Sequence, residues 1–95
     1  MLTDNGKGLF MALTERMVED KIEIVGAFKH VQVRTATIIE RDGVEISRNY
    51  HRHVISPADD ASGQSPEVQA VVAAVHTDAV KAAYAAHLAE REGGI

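Results

Sequence analysis

The chain has no cysteine and no tryptophan, and only four aromatic residues, Phe10, Phe28, Tyr50 and Tyr84, among its 95 positions. Without cysteine there is no disulfide framework, no thiol nucleophile and no thiolate-based zinc or iron–sulfur site. With so few rings, a core has to be built from valine, isoleucine, leucine and many alanines, each of which buries less area than an aromatic side chain. A chain of this length supports one core, and a core this thin predicts marginal stability or help from a partner chain. Proline is scarce too, and the two prolines present, Pro57 and Pro66, fall where the β-type pattern stops and where a helical pattern starts. No apolar run approaches the roughly 20 residues that span a bilayer, and the N-terminus lacks a secretory-type apolar stretch, so a soluble, non-secreted protein is expected. Basic residues are in the minority, ten against fourteen acids. That balance argues against a dedicated nucleic-acid binder, whose surface must neutralise phosphates.

What is present is patterning. Thr3 to Gly8 is polar and glycine-rich, and Met11 opens a second plausible reading frame start. Residues 1–11 are therefore expected to be a flexible extension or upstream start, residues 12–92 a single domain, and 93–95 a tail. Ala12 to Glu19 favours a turn of helix or an extended arm, with Leu13 and Met17 four apart. Ile22 and Ile24 alternate with charged residues and Gly26 closes that strand. From His30 the alternation is cleaner, with Val31, Val33, Thr35, Thr37 and Ile39 as the β-branched inward set. Asp42-Gly43 then separates this run from a third, Val44 to Ile55, and is a strong hairpin signal. Two registers fit. A two-residue primed turn opposes Ile39 to Ile46, Thr35 to Tyr50 and Val33 to Arg52. A three-residue turn with a glycine bulge opposes Ile38 to Ile46 and Arg34 to Tyr50.

Ser56-Pro57 ends the strand, and Ala58 to Gln64 reads as an exposed loop. Ser65-Pro66-Glu67 supplies a cap, a proline at the first helical position and an acid in the positive first turn. Val68, Val71, Val72 and Val75 form the apolar stripe that follows. His76-Thr77-Asp78 interrupts it, so either two helices meet there or one runs through, with Val80, Tyr84 and Leu88 as the later stripe. The fold predicted is α+β: a three-stranded antiparallel β-meander followed by two C-terminal helices packed on one face.

Taken together, Val31-Gln32-Val33-Arg34-Thr35-Ala36-Thr37, Asp42 to Ser47, Tyr50-His51-Arg52-His53-Val54, Pro57, His76-Thr77 and Val80 to Tyr84 resemble a family of short proteins encoded by tailed bacteriophages and prophages. The resemblance spans most of Met11 to Leu88 and carries no assigned activity. It implies a phage origin, a virion or host-cytoplasm location, and partners that are other phage proteins or further copies of the chain.

The chemistry-bearing residues gather on the second and third strands. Arg34, Arg48, Tyr50, His51, Arg52 and His53 are the candidate binding residues, able to meet phosphate or an acidic partner patch. The same charges also serve to protect a sheet edge. His51 and His53 project from one face, roughly 6 to 7 Å apart. A metal would need further ligands, and the nearest candidate, His30, joins that face only in the two-residue register, so no metal site is expected. Cofactor and catalytic motifs are missing: there is no Gly-x-Ser-x-Gly elbow, no His-Glu-x-x-His and no complete phosphate loop. Asp59 and Asp60, as neighbours in a loop, read as turn acids rather than a catalytic pair. The expected function is therefore a non-enzymatic phage structural or assembly protein, self-associating through protein contacts. The alternative is a small accessory or regulatory binding protein that takes a host factor, nucleic acid or metal on the Arg/His face.

Overall fold

The structure, a computed structural model, describes residues 12–93; the extension expected over residues 1–11 and the last residues of the expected tail lie outside the described residues. Three strands, β1 (Leu13–Val25), β2 (His30–Arg41) and β3 (Val44–Ile55), form one antiparallel sheet in the order β1-β2-β3, and helices α1 (Pro66–Val75) and α2 (Asp78–Gly93) follow. The predicted meander with two C-terminal helices is thus the observed α+β fold. Among the described residues, no helix is long and apolar enough to cross a membrane.

The chain divides into two compact units. The helix-bearing unit comprises Lys21–Val33 and the chain from Arg52 onward. Val31, Val33, Ile55 and Val68 are its buried centre, with Ile22, Ala61, Val71, Val72 and Val75 packed around them. Burying one such branched side chain stabilises by about 2 kcal/mol. Helix α1 forms as its sequence dictates: Ser65 accepts the Val68 N–H at 3.2 Å, Pro66 fills the first turn, and the predicted valine stripe faces the core. The interruption at His76 resolves into two helices, because His76 caps α1 and Thr77 Oγ1 accepts the Val80 N–H at 3.2 Å to start α2. Tyr84 on α2 meets Phe28 and His30 edge-on, each at 5.5 Å between ring centroids, and His87 lies 4.8 Å from Phe28.

The described part of the other unit is residues 12–20 with Arg34–His51, and its described elements are strands. Here Ala36 and Ile38 are buried, on the opposite parity from Val31 and Val33. The uninterrupted inward set predicted for β2 therefore holds only as far as Val33, and Thr35, Thr37 and Ile39 are half-buried. Buried positions step by two from Val31 to Val33, by three to Ala36 and by two again to Ile38, the pattern one extra residue in β2 produces.

The N-terminal stretch is a second correction. Of the two readings for Ala12 to Glu19, the turn of helix fails: from Leu13 the segment is extended, and it is no free arm but the first part of β1, paired in the sheet. Pairing with β2 outweighs a weak helical preference in a segment too short to hold a helix alone. Its first residue is also tied to the neighbouring hairpin: the Ala12 N–H donates to Asp42 Oδ1 at 3.1 Å and the Asp42 N–H to the Ala12 carbonyl at 3.0 Å.

The β2–β3 turn settles one register question and opens another. Asp42 (φ 52°) and Gly43 (φ 83°) are both left-handed, as a two-residue primed turn requires, and only a small polar residue and a glycine adopt such angles easily. Yet the Arg34 guanidinium lies over the Tyr50 ring, and Ile55 shares the core of Val31 and Val33. Those pairings belong to the other register. From the turn, β2 takes seven steps from Arg41 to Arg34 while β3 takes six from Val44 to Tyr50, so one residue is gained on β2, the offset a bulge produces.

Candidate functional site

The six candidate binding residues fall on β2 and β3, and each unit engages its own. In the unit that holds Arg34–His51, Arg34 is central. Its guanidinium grips Asp20 on β1 through two bonds, Nε to Oδ1 at 3.0 Å and Nη2 to Oδ2 at 2.8 Å. The same group sits 4.2 Å from the centre of the Tyr50 ring, a cation over the electron-rich face. Arg48 makes a second two-point contact, to Glu45 three residues earlier on β3, at 2.9 and 2.7 Å. A third pair, Arg16 with Glu40, closes at 3.5 Å.

These contacts shift the charges in the expected directions. The hydrogen bond from Arg34 holds the Asp20 carboxyl below its ordinary range, against a small opposing effect of desolvation, and Arg34 is raised in turn. Glu45 is lowered by Arg48, and Arg48 is raised chiefly by Glu45 and secondarily by the Tyr50 hydroxyl. The consequence is chemical. Two of the three arginines expected to present positive charge already face carboxylates of this same chain, so a phosphate would have to displace Asp20 or Glu45 to reach them.

Arg52, His51 and His53 complete the set. Arg52 is exposed, and among the described residues no carboxylate lies within 4.0 Å of it. His51 is exposed, while His53 is half-buried with Nε2 2.8 Å from the Gln64 side-chain oxygen. His30 does not join them. Its Nδ1 lies 3.0 Å from Ser56 Oγ and its ring meets Tyr84. Among the described residues, no three histidine, aspartate or glutamate side chains stand together as metal ligands.

What the cations leave open is the strand itself. Every β3 residue from Val44 to Arg52 is exposed, as is Val54, and the row includes Val44 (66 %), Ile46 (50 %), Tyr50 (48 %) and Val54 (49 %). Among the described residues β3 has β2 on one side and no strand on the other, so its outer backbone groups face away from the sheet. Alternation in the sequence does not say which strand lies at the edge.

A cleft of about 450 Å³ in the helix-bearing unit lies between the loop at Pro57 to Ser62 and α1, with His76 and Lys81 on its walls. Its two carboxylates are engaged within the loop. Asp59 Oδ2 accepts the Ser56 N–H at 2.7 Å, and Asp60 accepts the Ser62 N–H and hydroxyl at 2.9 and 3.0 Å, which keeps the Asp60 carboxyl low. This is the turn-acid arrangement predicted for the pair. His76 is the residue that spacing did not flag. It is buried, its Nε2 donates to the Lys29 carbonyl at 2.7 Å, and its Nδ1 has no partner among the described residues. Its only trace in the sequence is the break it makes in the valine stripe. Set against known proteins, the chain matches no family model, no curated protein and no solved structure.

Proposed function

We propose that this chain is a non-enzymatic structural or assembly component that works through protein–protein contacts and associates with copies of itself. The observation that carries the reading is β3: a twelve-residue edge strand exposed along most of its length, with four large apolar side chains in the row. Long, apolar, uncovered edges invite further strands, because their N–H and C=O groups lack partners on the outer side. The thin aliphatic core supports the same reading, since burial between chains adds stability that one copy lacks. Engagement of Arg34 by Asp20 and of Arg48 by Glu45 weighs against the phosphate-binding alternative. The resemblance to short proteins of tailed phages is what directs the assembly role toward a virion.

Light scattering across a range of concentrations tests self-association. A mass that climbs above that of a single chain is expected, and a constant single-chain mass up to the millimolar range sinks the reading. Mass spectrometry of purified particles from the source phage tests the virion role; the chain is expected there in stoichiometric amounts. Salt-dependent retention on DNA that is lost in Arg52→Ala would instead favour the accessory-binder reading.

A further inference from the structure

Among the described residues the sheet has two outer strands, β1 and β3, and they are unlike. Strand β1 carries four acids (Glu15, Glu19, Asp20, Glu23) against two bases (Arg16, Lys21). Strand β3 reverses the sign, with two arginines (Arg48, Arg52) against one acid (Glu45). Both expose apolar side chains: Leu13, Met17, Ile24 and Val25 on β1, and Val44, Ile46, Tyr50 and Val54 on β3. Exposed edges are commonly blocked by lysine or proline. Neither residue occurs in β3.

Three edge pairings are open to two copies, and charge separates them. Two β1 strands would set an acid excess against an acid excess. Two β3 strands would bring four arginines together with only two acids between them. A β1 strand beside a β3 strand sets acid excess against base excess, with apolar side chains on both sides. Like charges across an interface are disfavoured and complementary ones fix partner and orientation, while apolar burial supplies the adhesion.

We propose that copies of this chain join head to tail, the acid-rich edge β1 of one copy against the arginine-bearing edge β3 of the next. The proposal rests on the self-association reading and specifies its surface. Because the two edges differ, each added copy brings one new edge of each kind. Such an interface does not stop at two copies; it closes into a ring or extends as a filament.

Charge reversal tests it on the full chain, with mass read by light scattering and folding by circular dichroism. Glu15→Lys with Met17→Lys turns β1 from acid excess to base excess. Ile46→Glu with Arg52→Glu turns β3 to acid excess. All four positions are exposed, so both variants are expected to fold. Each variant alone then carries two edges of like sign, and its association is expected to weaken about tenfold or more. An equimolar mixture is expected to recover the wild-type mass distribution, because each reversed edge now fits the other variant. Wild-type association in the β1 variant alone would overturn the proposal, since pairing between β3 strands does not involve β1. Failure of the mixture to recover would overturn it too. Should a variant lose its sheet signal, Glu15→Gln and Arg52→Gln give a milder test, each expected to weaken association about threefold, and no change in either overturns the proposal. A wild-type chain that stays a monomer fails the self-association reading itself, whereas an assembly indifferent to these charges fails only the head-to-tail arrangement.

Discussion

Strand β2 passes through both units, and its two halves are held by different physics. Val31 and Val33 lie in a dry aliphatic cluster with Ile55 and Val68, under a helix. From Arg34 onward the strand belongs to the other unit, whose described elements are strands, and there paired charges and a primed turn sit beside apolar residues left in solvent. Burial is non-directional and strong; exposed ion pairs are directional and weak. The helix-bearing unit is thus built for stability. The other unit keeps apolar surface in solvent at Leu13, Met17, Val44 and Ile46.

The comparison breaks if damage to the helix-bearing unit proves mild. His76→Ala is expected to have the largest effect, about 3 kcal/mol, because it leaves the Lys29 carbonyl without its donor and opens a hole where α1 ends. Val68→Ala should follow at about 2 kcal/mol, lowering the melting temperature by roughly 10 °C in a chain of this size. Thermal and urea unfolding measure both. A loss under 0.5 kcal/mol for both variants would mean that the buried cluster is not what holds this unit.

Next in size are the local devices, one in each unit. Gly43→Ala adds a side chain at φ 83°, where an L-residue is strained although nothing lies within 4 Å of the new Cβ. A loss of about 1 kcal/mol is expected from backbone conformation alone. Ser65→Ala removes the cap of α1 and should also lose about 1 kcal/mol. Amide exchange separates them. Gly43→Ala should raise exchange first on either side of the turn, at Arg41 and Val44, and Ser65→Ala first in the opening turn of α1. Equal acceleration throughout the chain in either variant would show that the two units open together rather than separately.

How far the sequence foretold these features follows from the range of each signal. The turn at Asp42-Gly43, the cap at Ser65-Pro66 and the valine stripe of α1 are local: residues a few positions apart determine them, so they could be read directly. The strand at Leu13 to Glu19 could not, because its conformation comes from a partner strand some twenty residues away, and its own residues lean weakly toward helix. The slip of buried parity after Val33 was hidden for a related reason. Alternation in residue type marks a strand, but it carries no record of where an extra residue shifts the pairing. For the candidate site, the cationic residues lie on the strands the sequence assigned them to. Their partners were not legible. Arg34 meets Asp20 across fourteen positions of sequence, and nothing in either segment announces the pair.

The smallest expected effect concerns those pairs, and its sign is fixed. In the folded chain Asp20 and Glu45 are held below the ordinary carboxylate range, chiefly by hydrogen bonds from Arg34 and Arg48. The unfolded chain therefore binds protons at a higher pH than the folded one. The stabilisation is present above the ordinary carboxylate range and is lost as pH falls through it toward the depressed values. Both pairs are exposed, so salt screens them and the effect is small. Melting temperatures of the wild type and of an Asp20→Asn, Glu45→Gln variant, measured at neutral pH and near pH 3, isolate it. The acid-induced drop is expected to be shallower in the variant, and the gap between the two proteins to shrink in about 1 M salt. Asp60, held low by Ser62, remains in both proteins and cancels. Identical drops would show that these pairs orient side chains without stabilising the fold. Arg34 and Arg48 would then exchange Asp20 and Glu45 for an incoming acidic edge at little cost, which is the behaviour an assembling strand needs.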